Sequence, residues 1–350
     1  MFADALFTCL RARLSIDTAH ALLHARKPQN PAPQSQGNIT SLALILTLIT
    51  SGILSGCGQA QSGHDPLVQH MAEEPQKTSA TPRQVVTPDW GNAATLTAMG
   101  HAPIATGDVR MWDRWVETPS LPDDITDLGI RYQPNAELIA QLPIDMVIDN
   151  PFYQHARNLY GDVPAESVMF AAKGEVATWA DYTEPTRTLG ALIGEPKSAE
   201  DYIKKSKHAI TQAGAQLQAR YPKVKKFAVV QFSDANNVRM YVNNSLFKPA
   251  FDAMDKELAV LGEGNAYGFV PKRVGDLAKL DDDVCLLIIE PLSPITRAEI
   301  KDSLIWQRLG YGQSRCMGEL TPVWIYGGMS SLVSLANNVS AAELQGGAAS

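Results

Sequence analysis

Apolar and polar positions alternate in two different rhythms along the chain, and the switches between them mark its elements. Val85 and Val86 open a short β run, residues 90–100 carry a helical period closed by Gly100, and residues 103–106 read as the next strand. Asn135 is placed to cap a helix over 135–142, followed by the strand DMVI at 145–148. The alternation restarts with FAVVQF at 227–232, a helix over about 246–260, the buried strand VCLLIIE at 284–290 and a helix over 295–309. Strands alternating with helices predict parallel α/β layers, here in two lobes. Between them residues 198–221 keep a helical period through Ile203, Ile210, Gly214, Leu217 and Tyr221, with Ser198 and Asp201 at capping-box spacing. At 1.5 Å per residue such a helix runs roughly 35 Å, enough to pass from one lobe to the other.

The remaining apolar run, LALILTLITSGIL at 42–54, is too short to span a bilayer and fits a signal-peptide core. Leu54-Ser55-Gly56-Cys57 directly after it resembles a bacterial lipobox, with Cys57 as the lipidated residue. The basic residues Arg11, Arg13, Arg26 and Lys27 lie far upstream, which points to a translation start placed too early. The expected plan is a leader at 1–56, a flexible polar tether at 57–83, a first lobe at 84–197, a linker helix at 198–221 and a second lobe at 222–350. A chain cut before Cys57 keeps 350 − 56 = 294 residues. Lipid at Cys57 holds the folded part at a membrane, in the periplasm or on the outer face of the cell membrane.

Composition narrows the chemistry. Acidic residues number 37 against 30 basic ones, for a net charge of −7, which argues against nucleic acid as a partner. None of GxxxxGK[ST], GxSxG, HExxH or GxGxxG occurs in the mature region, so no nucleotide cradle, serine elbow or zincin site is expected. Histidines stop at His208, before the second lobe, which disfavours a bare metal centre shared by two lobes. The aromatics say more. Trp112 and Trp115 sit in a polar stretch, Arg131 and Tyr132 in a loop, and Tyr153 just past a strand, where open α/β sheets place ligands. Tyr267 stands in the turn GEGNAYGF, and Trp324 and Tyr326 in TPVWIYGG. Loop-borne aromatics around one central cation, Arg131, suggest a ligand cleft. Cys285 and Cys316 are expected to pair as a disulfide, two separately buried thiols being the alternative.

Residues 85–150, the run 129–148 with its Pro-Asn and Glu-Leu-Ile, NSLF at 244–247, SLIWQRL at 303–309 and VWIYGG at 323–328 together resemble the iron–siderophore periplasmic binding proteins, of the ferric hydroxamate type. The resemblance covers about residues 84–340. It implies a two-lobed α/β fold on a single long backbone helix and a non-enzymatic, monomeric receptor without cofactor that hands ferric hydroxamate to an ABC permease and its ATPase. It further implies that Arg131 and Tyr153 contact hydroxamate oxygens, that Trp115, Tyr267, Trp324 and Tyr326 wall the pocket with Asn265 preceding Tyr267, and that Asp276 docks the permease, with Asn158, Asp162 or Glu166 on the first lobe. Cobalamin, haem or another chelate on the same fold, and an envelope α/β hydrolase, are the competing readings.

Overall fold

Strands β1 (Val85–Val86), β2 (Ala105–Thr106), β3 (Thr126–Asp127), β4 (Met146–Asp149) and β5 (Ala165–Ser167) pair in parallel in the order β3-β2-β1-β4-β5. The direction of winding reverses between β1 and β4, which opens a crevice at their carboxyl ends. The structure, a computed structural model, describes residues 82–116 and 118–347, all within the compact unit Gln76–Ser350. The leader, Cys57 and the tether up to residue 81 lie outside the described residues.

Helix α1 (Trp90–Ala98) starts where Asp89 caps it, its Oδ1 accepting from the Asn92 N–H at 2.8 Å. A helical turn α2 (Trp112–Trp115) follows β2, and Asn135 caps α3 (Ala136–Gln141) by accepting from Glu137 and Leu138. Then come α4 (Ala180–Leu192) and the long α5 (Pro196–Arg220). The second sheet holds β6 (Lys226–Asp234), β7 (Asn237–Tyr241), β8 (Glu257–Leu258), β9 (Phe269–Arg273), β10 (Val284–Ile289) and β11 (Met317–Leu320). Its order is β11-β10-β6-β7-β9, with β8 alongside the start of β6. Strands β6, β10 and β11 are parallel, while β7 and β9 run antiparallel, so this lobe is mixed. Helices α6 (Phe247–Ala253), α7 (Pro294–Asp302), α8 (Leu304–Leu309) and α9 (Met329–Ala341) complete it.

Several expectations need correction. The linker helix begins two residues before Ser198, at Pro196, whose ring presets the first-turn φ and whose missing N–H needs no partner. Ser198 is therefore inside the helix, bonded to Glu195. The helix expected over 246–260 stops at Ala253, because Asp255 turns left-handed (φ 59°) and the apolar run beyond becomes edge strand β8. The helix expected over 295–309 breaks at Ser303, which adopts extended backbone and caps α8, and Gly310 ends it at φ 72°. Trp112 lies not in an open loop but on α2, 1% exposed. Helices α4 and α9 have no counterpart in the sequence reading. Helix α9 turns small polar residues, Ser330, Ser331 and Ser340, toward the interior, which masks its apolar stripe.

One core cluster runs from Leu96, Met146 and Ile148 of the first lobe through Ile203, Ile210 and Leu217 of α5 to Val229, Leu287, Leu332 and Leu335. Helix α5 thus serves as a shared wall, and α9 packs on both α5 and α1. The chain comes back to the first lobe just before α9. Gly91 of α1 meets the backbone of Gly327 and Gly328 so closely that an added Cβ would lie 3.3 Å from each. Cys285 on β10 and Cys316 beside β11 are joined by a disulfide inside this core.

Candidate ligand-binding site

The loops that leave β1, β2, β3 and β4 converge at the crevice, and Asp108 on the loop after β2 holds Arg131. Arg131 is 6% exposed and donates from Nε to Asp108 Oδ2 at 2.9 Å, the same oxygen that its backbone N–H reaches at 3.3 Å. Asp108 itself sits in the left-handed region (φ 52°) and donates its N–H to the Gly129 carbonyl. Beside it Gly107 must lack a side chain, since a Cβ there would lie 2.8 Å from the Arg131 Cα. The Trp90 indole donates to the Gly107 carbonyl and so ties this turn to α1. The guanidinium carbon lies 3.8 Å from the centre of the Trp90 ring and 4.8 Å from that of Trp324. With Nε committed to Asp108 and two indole rings packed beside the guanidinium, Nη1 is buried and without a partner, as is the Trp324 Nε1.

Carboxylates balance this charge. Asp89 is buried between the Asn92 N–H and the Asn150 amide, which donates to its Oδ2 at 2.8 Å. Burial raises its pKa to about 6, against the opposing pull of the Asn92 N–H, of Arg131 and of the Gly91 N–H. Asp149, fully buried at the end of β4, takes a two-pronged bond from Arg157 at 2.7 Å per prong. Two guanidiniums therefore face three carboxyl groups at this edge, so Arg131 supplies fixed donors without leaving the edge net positive.

Aromatic rings continue the surface across the crevice. Tyr153, 2% exposed, stacks on Tyr132 with centroids 5.2 Å apart and an interplanar angle of 9°. Burial pushes both phenols up, so they stay protonated donors. Phe152 stacks at 6.2 Å on Tyr267 of the second lobe, Tyr267 meets Tyr326 at 6.4 Å, and Tyr326 meets Trp324 at 5.8 Å. Asn265 builds the turn that presents Tyr267, its Oδ1 accepting from the Tyr267 and Phe269 N–H groups and its carbonyl from Asn244. Tyr132, Phe152, Tyr267 and Tyr326 are each about 40% exposed, an open aromatic face on otherwise braced loops.

Arg131, Tyr153, Tyr267, Trp324 and Tyr326 are thus brought into one connected set. Trp112 lies underneath, edge-on to Trp90 at 5.8 Å, with its indole donating to the Pro119 carbonyl. Trp115 flanks the same cluster and carries Arg114 over its ring. Asn265 is exposed beside Tyr267, whose turn its side chain shapes. Asp276 stands apart on the second lobe, its carboxylate held by Lys279 and the Arg273 N–H. Asp89, Asp108, Asp149 and Phe152 escaped the sequence reading. Phe152 adjoins Tyr153, Asp149 directly follows a predicted strand and Asp89 directly precedes a predicted helix, positions that could have flagged them. Among the described residues no cluster of His, Cys, Asp and Glu could hold a metal ion.

Residues 85–269 match the periplasmic binding protein family. The chain is 23% identical to the iron(3+)-hydroxamate-binding protein FhuD of Escherichia coli (strain K12), over 70% of this chain and 82% of that protein. It is 24% identical to the Fe(3+)-citrate-binding protein YfmC of Bacillus subtilis (strain 168), over 77% of this chain and 84% of that one. Its fold is similar to that of the siderophore-binding protein FhuD from Vibrio cholerae, solved with Fe3+-Desferal (TM-score 0.65, 22% identity, 75% of this chain and 97% of that one). The last likeness speaks for the fold alone.

Proposed function

This chain belongs to the periplasmic binding protein family, and on that premise we propose that it captures a ferric trihydroxamate siderophore between its lobes and delivers it to an ABC permease. It is a binding component of the siderophore, iron-chelate and haem group, not an enzyme. The observation that carries the finer reading is the state of Arg131: buried, neutralised by Asp108, and left with one donor aimed at no protein acceptor. Three hydroxamates cancel the charge of ferric iron and fill its six-coordinate shell, so the chelate offers weakly charged oxygens and needs no protein ligand to the metal. A donor-rich but charge-balanced edge suits such an inner sphere, whereas a tris-catecholate, with three net negative charges, calls for uncompensated cations. Tyr132, Tyr153 and the Trp324 indole add further donors, and Tyr267, Tyr326 and Phe152 offer flat apolar faces to the chelator arms.

Titration with ferrioxamine B, followed by tryptophan fluorescence, tests this. Saturable quenching is expected, with Arg131→Ala weakening it roughly a hundredfold, the scale of a lost charge-assisted hydrogen bond in a buried site. Absence of any saturable response to hydroxamates contradicts it.

The same reading extends to the rest of the chain. Lipid on Cys57 tethers a monomeric folded part through residues 57–83, and Asp276 contributes to the permease-facing surface of the second lobe. Globomycin-sensitive processing and the mass of the amino-terminal peptide test the anchor. Among the described residues no helix is long and apolar enough to cross a membrane.

A further inference from the structure

Arg239 lies on the β7 face opposite the buried Val238 and Met240, half-exposed, with Gln231 and Pro271 as its cross-strand neighbours. Its guanidinium carbon is 5.1 Å from the centre of the Phe269 ring. Phe269 contacts Tyr267 at 6.3 Å, and Tyr267 contacts Tyr326, so Arg239 borders the second-lobe wall of the crevice. The phenols of Tyr326 and Tyr241 both sense it as a positive charge that opposes the upward push of burial. Arg131 lies 4.8 Å from the Trp324 ring, and Arg239 lies beyond Phe269, which itself meets Tyr267.

Arg131 is matched to an inner sphere without net charge, which leaves the pendant group of a chelate as the part whose charge can be read elsewhere. We propose, resting on the hydroxamate reading above, that Arg239 selects iron chelates carrying a pendant carboxylate directed at the second lobe. A guanidinium receives a carboxylate through paired N–H donors, and repels an ammonium placed there. Half-exposure keeps the gain modest and sensitive to salt.

Three ferric complexes differing only in the pendant group test this: desferrioxamine B (ammonium), its N-acetyl derivative (uncharged) and its N-succinyl derivative (carboxylate). Wild-type protein is expected to bind the succinyl complex roughly fivefold tighter than the acetyl one at low salt, and the ammonium complex weakest. Arg239→Gln should abolish the succinyl preference while leaving acetyl affinity within about twofold, and Arg239→Lys should keep part of it. Equal affinity of the wild type for all three overturns the inference alone, with no variant needed. An Arg239→Gln loss equal across the three also overturns it, by assigning Arg239 to the wall in general. Binding of none of the three overturns the hydroxamate reading and this inference with it.

Discussion

The two sides of the crevice are built in opposite ways. In the first lobe the strands are two to four residues long, and cohesion at the carboxyl edge comes from the polar network of Asp89, Asp108, Asp149, Asn150, Arg131 and Arg157. In the second lobe β6 has nine residues and β10 six, all buried in the latter, and the Cys285–Cys316 disulfide ties β10 to the start of β11. The rings facing the crevice there, Tyr267 and Tyr326, hang on a frame that stands without them. On the first side, binding groups are also braces; on the second, they are attachments. Substitutions should therefore cost both stability and affinity on the first side and affinity alone on the second.

The largest expected effect isolates the frame. Reducing the disulfide, which closes a separation of 31 residues, should lower unfolding free energy by about 3–4 kcal/mol in urea titrations. Ligand affinity of the still-folded reduced protein should stay unchanged, and a parallel fall in affinity would erase the contrast. A smaller pair of effects compares the attachments and braces directly. Asp108→Ala removes the acceptor for Arg131 Nε and puts alanine in the left-handed region, costing about 1–3 kcal/mol in stability and roughly tenfold in affinity. Asp108→Asn, which tolerates that backbone and keeps an acceptor, should recover most of the stability. Tyr267→Ala, at a position 42% exposed, should weaken binding several-fold yet move stability by less than about 0.5 kcal/mol.

A further effect is a pH dependence. The folded state holds the Asp89 proton up to about pH 6, whereas an unfolded aspartate loses it near ~3.9. Stability gained from that protonation is complete below the unfolded value and disappears as pH rises through about 6. Asp89→Asn should remove this slope, so the gap between wild type and variant changes by on the order of 1–2 kcal/mol between pH 4 and 7. A gap that stays constant with pH contradicts the assignment of Asp89.

How much of this could be read in the sequence follows from the same contrast. Strongly periodic segments stood out: α1 with its Gly100 stop, α3 under Asn135, and the buried strand β10. Arg131 and Tyr153 stood out because strand ends locate a crevice. What stayed hidden depends on contacts distant in sequence. Asp108 matters only because β2 and β3 are neighbours, which brings it beside Arg131 across 23 positions. Arg239 was invisible while the antiparallel pair β7 and β9, whose alternation is broken by Pro271 and charged residues, went unread as strands. Trp112 looked exposed by its polar neighbours, yet the Trp90 and Trp324 rings gather it into the core.

The most direct test of the central claim, that Arg131 offers donors at a charge-balanced edge, is a fluorescence titration of the purified protein with two ferric complexes, uncharged ferrichrome and a triply anionic tris-catecholate. Saturable quenching by ferrichrome, absent or at least a hundredfold weaker with the catecholate, is the expected result (about 2.7 kcal/mol). Tighter binding of the catecholate would contradict the account.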